Sequence, residues 1–221
     1  MEFAPKQAVP VFPLPNVVLF PGAVLPLHVF ELRYRTMVRE ALSGERLIAL
    51  ALLRPGWERD YQGSPAFYPI GCLARFEEVE WLVNDSYNLK LLGLARVYFE
   101  RIVREYPYRA ARVRLRPEQP FSETDPLVQL EKRALLETCR AWLAAAGEAG
   151  PPPALGADER VSYETLVGSV CTGFAGDAEA QRSLLEMDSI LDRGRRVREL
   201  MEMRLRRRPR AGGGTGDGEQ N

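Results

Sequence analysis

Histidine occurs once in the 221 residues, as His28. A single histidine cannot build an HExxH zinc motif, and a serine–histidine–acid triad could draw only on that residue. Cysteine is nearly as scarce. Cys72, Cys139 and Cys171 are far apart, odd in number and form no CxxC, which argues against a disulfide framework or a thiolate zinc site and suits a reducing, cytoplasmic setting. Only Lys6, Lys90 and Lys132 are lysines, so a Ser-Lys dyad has few candidates. No glycine precedes a lysine, which removes the GxxxxGK[ST] phosphate loop, and no GxSxG elbow occurs. No apolar run approaches the length of a membrane span, and MEFAPKQAVP lacks the basic-then-apolar pattern of a signal peptide. Thirty basic residues balance thirty acidic ones, so no overall field draws the chain to nucleic acid or to a membrane. The expectation is a protein that is not an enzyme and needs no cofactor or metal.

What the chain does have is proline placed among strand-forming residues. Val9–Leu32 (VPVFPLPNVVLFPGAVLPLHVFEL) carries Pro10, Pro13, Pro15, Pro21 and Pro26 among Val, Leu and Phe. Each proline fixes φ and lacks an amide proton, which excludes a long helix, and biases its predecessor toward extended backbone. Short bent strands are expected over Val9–Phe12, Val17–Leu19 and Ala23–Val29, with Asn16 and Pro21-Gly22 at the turns. Such strands suit a small, strongly curved sheet rather than a flat one.

Further along, Phe30–Leu42 repeats apolar residues at helical spacing, and Gly44 ends it. Leu47–Leu53 reads as a buried strand, Trp57–Pro69 as a loop and Pro69–Val79 as a strand. Asn84-Asp85-Ser86 marks a hairpin between Glu80–Val83 and Tyr87–Ala95. The second arm is apolar on both faces toward its end, which places it mid-sheet. Val97–Val103 and Tyr108–Arg116 complete the strands. From Pro126 the period becomes 3.6, with Asp125 as cap and a stripe Leu127, Leu130, Ala134, Leu135, Cys139, Trp142, Leu143 and Ala146. Gly147–Asp158 is a break. Helices follow over Ser162–Phe174, Ala178–Met187 and Asp188–Arg208, the last with Ile190, Gly194, Val197, Met201 and Leu205 on one face. Strands first and helices second imply an α+β chain: a β-barrel subdomain over 1–120, a helical bundle over 121–210 and a disordered tail over 211–221.

Few residues suggest chemistry. Glu77, Glu78 and Glu80 read as a solvated face. Arg109, Arg112, Arg114 and Arg116, with Tyr106 and Tyr108 nearby, could bind phosphates and stacked bases, or could pair with Glu100 and Glu105. The arginines at 204–210 suit the end of a helix. Trp57, Tyr61, Phe67 and Tyr68 lie in or beside a polar loop, where aromatics either recognise a ligand or cover the sheet.

The run PVFPLPNVVLFPGAVLPLHVFELRYRTMVREAL closely resembles the start of the Lon N-terminal domain, the substrate-recognition region of an ATP-dependent protease. Similar pieces follow in order: Tyr68-Pro69-Ile70-Gly71-Cys72, Tyr87-Asn88-Leu89 through Gly93-Leu94-Ala95-Arg96, Pro107-Tyr108-Arg109-Ala110, Gln181–Glu186 and Asp188…Arg193. The hairpin departs from the family, which often has Asp-Gly-Arg where this chain has Asp85-Ser86. The resemblance implies a PUA-like β pseudo-barrel followed by an α-helical bundle. It also implies a stand-alone, non-catalytic recognition module without the ATPase and peptidase. Its partners would be unfolded or extended polypeptides, held in a groove between barrel and bundle or along an edge strand. A separate protease or chaperone is left open as a further partner. RNA binding by the barrel is the alternative, disfavoured by the zero net charge. The binding residues expected are Phe20, His28, Tyr34, Trp57 and Tyr61.

Overall fold

The prolines of the opening stretch fall where a sheet tolerates them. The computed structural model describes residues 5–61, 63–146, 160–174 and 178–207. Its strands are β1 (Val9–Leu14), β2 (Val24–Val29), β3 (Leu47–Leu53), β4 (Phe67–Trp81), β5 (Tyr87–Arg104) and β6 (Ala110–Leu115). Its helices are α1 (Leu32–Ser43), α2 (Pro126–Ala146), α3 (Tyr163–Gly173), α4 (Ala178–Glu186) and α5 (Ile190–Arg207), with a short 3-10 turn at Trp57–Asp60. The sheet order is β2-β5-β4-β3-β1-β6, and β6 also pairs with β5. Pro26 lies on the edge strand β2, and Pro10 and Pro13 lie on β1, which meets β6 only through Val9–Ala111 and Pro10–Ala110. The strands curl round Val11, Ala49, Leu73, Val97, Phe99 and Ala111. With so thin a β1–β6 contact the result is a pseudo-barrel that stops short of a closed one. The chain is α+β, as expected.

β5 is one continuous strand where two were expected, and it does run mid-sheet. Its pairing slips at Leu73/Ala74 and Phe76/Glu78 against β4, and again against β6. Such irregularities bend a strand without ending it. Its outer half meets β2 and its far half meets β6. In the hairpin Asp85 takes φ +59°. Its carboxylate accepts from Arg35 Nη1 (2.5 Å), Arg39 Nη2 (3.2 Å) and Trp81 Nε1 (3.1 Å), so this non-glycine turn is tied to α1.

Residues 15–23 depart from the expectation of a strand over Val17–Leu19. They form irregular backbone threaded between β5 and α3. Val18 and Phe20 join the helical core, while Leu19 and Ala23 join the core beneath α1. The passage needs bare backbone on both sides. A Cβ on Gly93 would sit 2.1 Å from the Phe20 carbonyl oxygen, and one on Gly168 would sit 2.0 Å from that of Pro21. Pro15 and Pro21 offer no amide to a ladder, which explains why apolar residues of strand propensity form none here.

The helices end as their caps dictate. Leu127 N–H donates to Asp125 Oδ1 (2.8 Å), and Thr165 N–H to Ser162 Oγ (3.1 Å). The buried line of α2 is Val128, Leu135, Leu136 and Cys139; Leu127 and Leu130 are exposed, because the helix turns their side away from α3 and α5. On α5, Ile190, Gly194, Val197 and Met201 are buried as expected, together with Arg193. The expected break at 147–158 and tail at 211–221 lie outside the described residues.

Sheet and helices meet at a buried polar seam. Arg96, fully buried on β5, donates from Nη1 to the carbonyls of Leu185 and Met187 and from Nη2 to Pro117 O and Asp188 Oδ1, all at 3.0 Å. Its Nε lies 2.9 Å from Glu118 Oε1. Arg193 grips both Glu118 oxygens (3.1 and 2.9 Å) and donates to Leu184 O (3.0 Å). Arg116 donates to Glu186 O (3.0 Å) and to Asp188 (2.8 Å). The carbonyls that α4 leaves unbonded at its C-terminus are thus met by three guanidinium groups, whose excess charge over two carboxylates faces the negative end of the helix dipole.

Candidate functional site

Among the described residues, the cavity between sheet and helices beside Val18, Leu19, Ile70 and Leu185 is small, about 10 Å³. The free edge of β2 is blunted as well. Gly93 N–H donates to Ala23 O (2.8 Å), a phase in which Leu25 and Leu27 bond toward β5 and Val24, Pro26 and His28 turn their backbone outward. Pro26 then leaves the middle of that edge with no N–H to offer an added strand.

A larger cavity, about 700 Å³, opens between the start of α1, residues 63–64 and the β5–β6 turn. Glu31 is the N-cap residue of α1, and its side chain makes no capping bond. It is held instead by Arg33 Nε (3.1 Å) and by the Tyr61 hydroxyl, which donates to it. Arg33 also donates to Tyr61 O (2.9 Å), and its guanidinium stacks at 4.6 Å from the Tyr34 ring and 5.0 Å from the Tyr61 ring. Burial first, and then the Glu31 bond, push the Tyr61 phenol up to about 12, so it stays a donor. Burial likewise raises Tyr34. On the opposite wall, Arg109 Nη1 donates to Pro65 O (2.6 Å), and its guanidinium lies 4.8 Å from the Phe67 ring. Ser64 Oγ donates to Glu105 (3.1 Å). Two apolar side chains stand at the mouth: Leu32 is 66% exposed and Tyr106 85%.

The five residues expected to bind separate into three groups. Phe20, taken as an exposed end of the opening stretch, is 0% exposed and packs in the helical core, so it cannot meet a ligand. Tyr34 lines the cavity; Tyr61 stands beside Arg33, and Trp57 meets the Tyr61 ring edge to face at 5.4 Å. His28 is elsewhere, exposed on β2. Asn88 Nδ2 donates to Glu80 (2.8 Å), so the Asn88 carbonyl oxygen faces His28 and accepts from Nδ1 (2.9 Å). Pro26, His28, Lys90 and Glu78 border a shallower depression of about 690 Å³ there. Leu32, Glu105, Tyr106 and Arg109 were not expected to share a cavity. The available signal was Tyr-Pro-Tyr-Arg between two strands, which reads more readily as part of a basic stripe.

Three of the four arginines of that stripe are engaged or buried, and Arg112 is exposed. Arg114 pairs with Glu100 (3.1 Å), Arg116 with Asp188 (2.8 Å), and Arg109 is buried. Glu77 and Glu78 pair with Arg75 (2.7 Å) and Lys90 (2.8 Å). Among the described residues no helix is long and apolar enough to cross a membrane, and no group of three His, Cys, Asp or Glu is placed to hold a metal ion.

Known proteins share this architecture. Lon protease 2 of Myxococcus xanthus is 36% identical over 107 residues, 48% of this chain and 13% of that protein. Lon protease of Desulfosudis oleivorans is 28% identical over 182 residues, 81% of this chain and 22% of that protein. The chain thus spans less than a quarter of these relatives. Two solved structures share the fold. The N-terminal domain of Mycobacterium avium complex Lon protease has a TM-score of 0.63 at 19% identity, over 89% of this chain and 98% of that one. The Lon N-terminal domain protein from Xanthomonas campestris has a TM-score of 0.58 at 23% identity, over the same shares. Residues 8–203 match the family model described as the ATP-dependent protease La (LON) substrate-binding domain, and the chain belongs to that family.

Proposed function

We propose that the chain is a non-catalytic polypeptide-recognition module and that extended apolar segments lie in the groove between α1 and the β5–β6 turn. One observation carries the reading. On the scaffold of a substrate-binding family, the groove at the start of α1 has an exposed aliphatic and an exposed aromatic side chain at its mouth, Leu32 and Tyr106. Aromatic and aliphatic anchors at the rim of a concave site are where binding energy concentrates. Among the described residues the two hydroxyls of the lining are engaged, Ser64 by Glu105 and Thr36 by the Leu32 carbonyl, and the chain's single histidine, His28, lies elsewhere. A separate protease or chaperone receiving the bound polypeptide is a compatible partner of such a module.

Fluorescence anisotropy with short labelled peptides of graded apolar content tests the reading. Affinity rises with apolar content. The double variant Leu32→Ser/Tyr106→Ser loses about tenfold or more, since burying either side chain against a ligand contributes roughly 1.5–3 kcal/mol. Both residues are exposed, so circular dichroism stays unchanged. Absence of binding across the panel overturns the proposal. Binding of single-stranded RNA alone, weakening steeply with salt, would assign the chain to the RNA alternative instead.

A further inference from the structure

Arg109 is the anomaly of the groove. It is only 9% exposed, yet among the described residues no carboxylate lies within ion-pairing distance of it. Buried charges are ordinarily paired, because desolvation without a counter-charge is costly. The contrast with Arg96 and Arg193 is direct: those two are as deeply buried, and each has a carboxylate at 2.9 Å. The Pro65 carbonyl takes one of the five N–H groups of Arg109 and the Phe67 ring takes one face. The side chain nevertheless belongs to the cavity wall.

The rest of that wall also suits an anion. The α1 N-terminus opens there with a cap residue whose side chain makes no capping bond, although Tyr34 N–H is met by the Glu31 carbonyl (3.0 Å). Its own acid, Glu31, is already engaged by Arg33 and Tyr61. Glu105 acts the other way. It faces the same space and, with Asp60, already acts on Arg109 through space, which limits how much negative charge can enter.

Resting on the polypeptide-recognition reading, we infer that Arg109 is the seat for one carboxylate of the bound polypeptide. The groove would then select segments by an acidic group as well as by apolar content. That carboxylate has two sources, a chain's C-terminal end or an Asp or Glu side chain. A planar guanidinium with free N–H groups suits either, through paired hydrogen bonds.

The test compares labelled apolar peptides on the unmodified protein. One carries a free C-terminal carboxylate, a second the C-terminal amide, a third an internal Asp with an amidated end, and a fourth Asn in place of that Asp. The seat predicts at least about tenfold tighter binding for the free acid over the amide, or for Asp over Asn, as expected for charge-assisted hydrogen bonds. The pair that differs identifies the source. In Arg109→Gln the difference disappears while apolar binding persists, and in Arg109→Lys part of it returns. Equal affinities across the four peptides overturn the carboxylate seat and leave polypeptide recognition standing. Failure of every peptide to bind overturns both. The acid-to-amide ratio on the unmodified protein decides the matter even if the Arg109 variants do not fold.

Discussion

Replacing Arg96 with Met tests whether the polar seam holds sheet and helices together. The substitution keeps the unbranched stem and removes the guanidinium. Left behind are the carbonyls of Leu185 and Pro117, each deprived of an N–H at 3.0 Å, while Met187 keeps Arg193. Glu118 keeps Arg193, and Asp188 keeps Arg116. The Arg96 side chain is fully buried and burial itself opposes its charge, so part of the loss is returned as relieved desolvation. Removing one partner from a buried pair nonetheless costs about 3–5 kcal/mol, and orphaned buried acceptors add to that. For a chain of this size the loss lowers Tm by roughly 6–20 °C. The assay is thermal unfolding followed by circular dichroism at neutral pH, with urea titration for the free energy. Arg96→Lys restores little, because a single ammonium cannot reach four acceptors spread over two elements. A loss below about 1 kcal/mol for Arg96→Met, or full recovery with lysine, would refute the reasoning.

Two further outcomes follow from the same packing and charges. Gly168→Ala places a methyl 2.0 Å from the Pro21 carbonyl oxygen, so urea midpoints should fall by the equivalent of about 1–3 kcal/mol; an unchanged midpoint would show that α3 does not clamp the proline segment. Stability should also decline in acid. The Arg116 bond holds Asp188 below the ordinary carboxylate range, and the Tyr108 hydroxyl does the same for Glu40. At these two groups the folded chain therefore binds fewer protons in the acid range than the unfolded one, while burial of Glu164 acts the other way. Both contributions are complete above roughly pH 4–5 and are lost as pH falls through the folded-state values. Asp188 is largely open to solvent, so its share is modest and shrinks with salt; Asp188→Asn should flatten the acid limb, and an identical limb would contradict the assignment.

Much of the architecture was legible locally. A short continuous apolar run located β3, alternation located much of β5, and helical spacing located α1 and, from Pro126, the later helices, because those patterns follow from the backbone itself. Asp125 and Ser162 act as the caps their chemistry suggests. The errors arose where tertiary contacts overrode local preference. Val17–Leu19 has strand-forming residues but no neighbour to pair with, since Gly93 and Gly168 close on it from both sides. The stripe through Leu127 and Leu130 has helical spacing but faces away from α3 and α5. Within the candidate site, Tyr34 could be anticipated from aromatic character beside a helix start. Tyr106 and Arg109 could not, because what makes them a site is their distance in space from Glu31 and Leu32, some seventy residues earlier in the chain.

The sequence by itself determined the kinds of element, their order and the family resemblance, because prolines, caps and periodicity act between residues close in the chain. It also determined that the usual catalytic motifs are missing, since that is a matter of which residue types are present. Only the tertiary structure decided that Phe20 is core, that Arg96 is a structural tie and that Arg109 is buried with no carboxylate at ion-pairing distance among the described residues. Those outcomes depend on which distant segments desolvate one another, and a buried guanidinium and a solvated one are written with the same residue.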